Sequence, residues 1–78
     1  MYDINKLRRD LANNPKQLEV LNLIHLQICH HQTKKRITIS IPKSYSSKIK
    51  KTVLHLMGYD IPYKKILGEE ITIIKMDE

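Results

Sequence analysis

The chain has no phenylalanine and no tryptophan, one cysteine, two glycines and three prolines in 78 residues. Each scarcity closes a class of function. A lone Cys29 cannot form an intramolecular disulfide or supply a Cys-x-x-Cys metal half-site. Gly58 and Gly68 are too far apart for a phosphate-cradling loop, and each is needed for a turn. The longest mostly apolar stretch, Leu18 to Cys29, is broken by Glu19, Asn22, His25 and Gln27, well short of the ~20 apolar residues of a membrane span. With 41% hydrophobic and 28% charged residues, composition is globular rather than disordered. The length suits one small domain, residues 1–78, with little stability to spare.

What remains is aliphatic. Twelve Ile, nine Leu, two Val, three Met and four Tyr must build the core, burying area at about 25 cal/mol per Å² without Phe or Trp stacking. Asp3 can cap a short helix to about Ala12, with Ile4, Leu7 and Leu11 as its apolar stripe. Asn14-Pro15 reads as a cap and first-turn proline for a second helix to about His31. On that helix Leu18, Val20, Leu21, Ile24, Ile28 and Cys29 spread over half the circumference. Leu23 and Leu26 fall outside this arc. They either pack under the first helix, as expected of a monomer, or form an interface with another subunit.

From Lys34 the period changes to two. Ile37, Ile39 and Ile41 point one way and Arg36, Thr38 and Ser40 the other, the pattern of a strand with one buried face. After Pro42, Ser44 can cap a third helix to Met57 with the apolar arc Tyr45, Ile49, Val53, Leu56 and Met57. Gly58 supplies its left-handed stop. Residues 61–67 and 70–76 read as a hairpin around a type II′ turn at Gly68, the alternative for 61–67 being a short helix capped by Asp60 and stopped at Gly68. The expected fold is α+β: a helical hairpin over residues 1–33, then a strand-helix-hairpin unit over 34–78, with helices packed on a three-stranded sheet.

Charge is segregated. Residues 1–33 hold four basic and three acidic side chains, net +1; residues 34–65 hold nine and one, net +8; residues 66–78 hold one and four, net −3. In the basic block are Lys34, Lys35, Arg36, Lys43, Lys48, Lys50 and Lys51, with Asp60 the lone acid. On the third helix Lys48, Lys51 and His55 share the face opposite the apolar arc with Ser47 and Thr52, and Lys50 stands at its border. Such a stripe suits phosphate neutralisation with counterion release, so nucleic acid is the expected partner. The alternative is an acidic protein, met by an inhibitor or accessory module through the same face.

Lys35-Arg36-Ile37-Thr38-Ile39-Ser40-Ile41-Pro42 followed by a capped helix resembles the opening of ribbon-helix-helix DNA-binding proteins, in which an alternating strand pairs in a dimer and enters the major groove. The resemblance implies that Arg36, Thr38 and Ser40 face bases. It spans residues 35–57, because Pro62 and the β-rich Ile71 to Ile74 stand where that family has a second long helix.

Nothing points to catalysis. His25 and Cys29 share a helix face at i and i+4, but tetrahedral zinc needs four converging ligands. A hydrogen-bonded core histidine and a small buried thiol are the expectation, with no metal and no cofactor. A Cys29-His55 nucleophile pair lacks anything to orient the base. The lone cysteine and the apolar-poor start, Met1 to Lys6, lead to the expectation of a cytoplasmic protein.

Overall fold

The computed structural model describes residues 2–30, 35–62 and 69–76. Three helices, α1 (Ile4–Asp10), α2 (Pro15–Ile28) and α3 (Ser47–Leu56), and three strands, β1 (Arg36–Ser40), β2 (Tyr59–Asp60) and β3 (Glu70–Lys75), form the expected α+β arrangement. The Asp3 carboxylate caps α1, accepting from the amides of Asn5 and Lys6 at 3.0 and 3.2 Å. Pro15 opens α2, although the Asn14 side chain makes no capping bond. The helix ends at Ile28 with Cys29 as its cap, earlier than His31.

The sheet is antiparallel with β3 in the centre, in the order β1-β3-β2. Ile37 lies opposite Ile73 and Ile39 opposite Ile71, so these four buried side chains project from one face. Val20, Leu21 and Ile24 of α2 and Val53 and Leu54 of α3 meet them and are wholly buried. The helices therefore cover one side of the sheet. Arg36, Thr38 and Ser40 of β1 share the open side with Glu70, Thr72 and Ile74 of β3.

Three expectations need correction. Ser46, not Ser44, caps α3, its hydroxyl accepting from the Ile49 amide at 3.2 Å. Ser44 is held in a turn closed by the Tyr45 amide on the Pro42 carbonyl. Of the apolar arc expected for α3, Val53 and Met57 are buried and Tyr45 and Ile49 pack partly against the core, but Lys50 and Leu54 join the buried stripe and Leu56 leaves it. The helix is rolled so that Leu54 points inward and Leu56 is 47% exposed, because α3 must reach both α2 and β2. Finally, the strand beside the end of β3 is Tyr59–Asp60, which sets Tyr59 opposite Lys75 and Asp60 opposite Ile74. Ile61 and Pro62 follow outside any strand, since proline has no amide for the ladder. The rest of the expected hairpin, residues 63–67 with the Gly68 turn, lies outside the described residues.

One edge of β1 is closed by a side chain. The Gln27 amide bonds the Ser40 carbonyl through Nε2 and the Ser40 amide through Oε1, both at 2.7 Å. It imitates a neighbouring strand for one residue and blunts an exposed edge.

Gly58 has φ +86°, and an added Cβ would meet nothing within 4 Å. Only backbone strain then opposes a side chain there. Gly58→Ala should lower stability by about 1 kcal/mol and Gly58→Asn by less, measured by urea unfolding; equal stability of all three would show that the turn relaxes.

Candidate nucleic-acid interface

Burial decides which basic residues can meet a partner. Lys48, Lys51 and His55 are exposed on the outer face of α3, as the sequence implies. Residues three and four apart on a helix are surface neighbours, and Lys48 to His55 spans about 10 Å of axis. Neither lysine makes an ion pair or side-chain hydrogen bond among the described residues. Helix α3 contains no acidic residue, and its first turn leaves the positive end of the dipole uncompensated. Lys43 stands exposed in the loop leading to that end.

Two groups bound the stripe. At the C-terminal end, His55 Nε2 lies 3.5 Å from Asp60 Oδ1, both side chains exposed. Near the N-terminal end, the Tyr45 hydroxyl donates to Glu19 Oε2 at 2.5 Å, and this hydrogen bond pushes the phenol pKa up.

Lys50 is not part of this surface. It is only 4% exposed and occupies the core-facing stripe with Val53, Leu54 and Met57. Its four-carbon stem serves there as apolar cover. The helical period of α3 sets Lys50 at the border of the stripe, and the roll of the helix turns that border inward.

The remaining cations lie elsewhere. Lys35 and Arg36 are exposed at the start of β1, and Lys43 lies past its end. Five strand residues put about 17 Å between those groups. Arg36 projects from the open sheet face, on the side of the molecule away from α3. Thr38 and Ser40 share that face, with Thr38 Oγ1 3.4 Å from Thr72 Oγ1 and Ser40 opposite Glu70. One side of β1 is taken by β3 of the same chain, which departs from the dimeric strand pairing of ribbon-helix-helix proteins. Lys34 lies outside the described residues.

Leu26 is 66% exposed and Leu23 half-buried. The first helix leaves Leu26 uncovered, although Arg8 Nε donates to Asn22 Oδ1, one turn earlier on the same face of α2, at 3.2 Å.

The His25 and Cys29 pair acquires a member that the sequence did not reveal. The Tyr2 hydroxyl lies 2.6 Å from His25 Nδ1, and the two rings meet edge to face. Cys29 Sγ is 3.6 Å from His25 Nε2. His25 is thus half-buried and hydrogen-bonded, but the thiol expected in the core is exposed, since it sits on the helix cap beyond the sheet. Only the spacing of four between His25 and Cys29 was visible in advance; Tyr2 is 23 residues away. Among the described residues no three His, Cys, Asp or Glu side chains converge on a metal-sized space, and no helix is long and apolar enough to cross a membrane. Comparisons with protein-family models, with curated proteins and with solved structures find no match for this chain.

Burial, then the charges of Cys29 and Tyr59, push the Tyr2 pKa from 10.0 up to about 12. The fold favours the neutral phenol, so this contribution is intact below pH 10 and is lost as pH rises towards 12. Tyr2→Phe should cost about 1 kcal/mol at pH 8 through the lost hydrogen bond, yet lose stability less steeply than the parent above pH 10. Parallel pH profiles from chemical denaturation would contradict this assignment.

Proposed function

We propose that this is a non-enzymatic, cytoplasmic nucleic-acid-binding protein that grips the phosphate backbone with the outer face of α3, using Lys48, Lys51 and His55 together with Lys43. The observation that carries the reading is an acid-free helix whose exposed lysines have no partner among the described residues. Lysines act here as point charges, releasing counterions without reading sequence. No Phe or Trp is available for base stacking, which favours backbone contact over recognition of unpaired bases. Arg36, on the open sheet face away from α3, is a secondary contact at most.

The test is fluorescence anisotropy of a labelled DNA duplex and a single-stranded RNA across a salt series. Three phosphate contacts give a slope of log affinity against log salt of about −2.7 on duplex DNA. Lys48→Glu/Lys51→Glu should weaken binding more than about tenfold and flatten the slope by about 2, while changing stability by less than about 0.5 kcal/mol. Lys6→Glu/Lys16→Glu removes the same charge from exposed sites elsewhere and should do much less. Equal losses in the two doubles would mean that net charge alone governs association. Absence of binding at low salt would remove nucleic acid and leave an acidic protein as the partner of this face.

A further inference from the structure

Between the start of α1, the end of α2 and the β2 edge of the sheet lies a cavity of about 140 Å³. Ile4, Ile28 and Met57 give it apolar walls. Tyr2 and His25 also line it, but the Tyr2 hydroxyl and His25 Nδ1 bond each other and His25 Nε2 lies against Cys29 Sγ. An apolar cavity of roughly 150 Å³ admits a benzene-sized molecule. Walls alone would therefore select a six-membered ring or a branched chain of similar bulk.

Two further lining groups, Tyr59 and Lys75, make the site selective. Tyr59 is only 5% exposed, yet its hydroxyl has no hydrogen-bond partner among the described residues. Among the described residues no buried side-chain oxygen is sealed away without a partner, so this hydroxyl is open to a ligand, and Tyr59 lines the cavity. Lys75 lies directly opposite Tyr59 across the β2-β3 pair, where cross-strand side chains start about 5 Å apart. Its ammonium likewise has no partner among the described residues. No acidic residue lines the space. A cation beside a free phenol at the mouth of an apolar hole matches one ligand chemistry.

We infer that this cavity binds a small monocarboxylate whose apolar part is no larger than a benzene ring. The ring enters among Ile4, Ile28 and Met57. The carboxylate accepts from the Lys75 ammonium and the Tyr59 hydroxyl, which burial keeps protonated by raising its pKa. Charge-assisted hydrogen bonds of this kind are the strong ones. The site is independent of the outer face of α3.

Benzoate is the probe, titrated into the full chain and followed by methyl NMR. Saturable shifts are expected at Ile4, Ile28 and Met57. Lys75→Met and Tyr59→Phe should each weaken benzoate at least about fivefold. Benzyl alcohol, which keeps the ring and lacks the charge, should bind the parent at least about tenfold more weakly and be indifferent to Lys75→Met. Lys75 is exposed, so its variant leaves the core intact. The inference is overturned if no saturable shift appears by about 20 mM benzoate, if the shifts map away from these three residues, or if Lys75→Met leaves benzoate affinity unchanged.

Discussion

Everything in this molecule depends on a sheet with one dry face. Ile37, Ile39, Ile71 and Ile73 project together only because β1 and β3 pair in one register, and slipping either strand by one residue would send its isoleucines into water. The wholly buried side chains of α2 and α3 close over them. A chain this short has one core, and without Phe or Trp that core must be made by interdigitating aliphatics. Gly58 follows from the same constraint: α3 must stop and reverse so that Tyr59 can join the sheet edge beneath it.

The one-faced sheet also decides what the positive charge can do. In sequence, residues 34–65 are a single block. In space, β1 carries part of it to the open sheet face and α3 carries part to the opposite surface, while Lys50 is absorbed into the core. Only the helical part is both continuous and free of acids along its length. The open face instead alternates Arg36, Thr38 and Ser40 with Thr72 and Glu70, which dilutes its field.

Period was the legible part of this fold. Alternation placed β1, the caps and breakers at Asp3, Pro15 and Gly58 placed helix ends, and the α+β layering followed. Rotation and long-range pairing were not legible. The roll of α3 depends on its neighbours, so Leu54 and Leu56 exchanged places and Lys50 moved inward. Tyr2 meets His25 across 23 residues, and Gln27 meets Ser40 across a strand edge; neither contact leaves a local signature. Tyr59 follows a C-terminal glycine, where an apolar residue commonly packs back on the helix, but its place opposite Lys75, and hence the cavity, depends on the pairing of β2 with β3. The charge stripe of Lys48, Lys51 and His55 was legible because an amphipathic helix needs only its own angular period.

The division of one charged segment between two faces is open to a direct measurement. Backbone-amide NMR during titration with a short DNA duplex at low salt reports which surface is approached. Shifts are expected to concentrate at Lys43, Lys48, Lys51, Thr52 and His55, with Arg36, Thr38 and Ser40 nearly silent. Shifts led by Arg36, Thr38 and Ser40 would contradict it and put the open sheet face, rather than α3, against the nucleic acid.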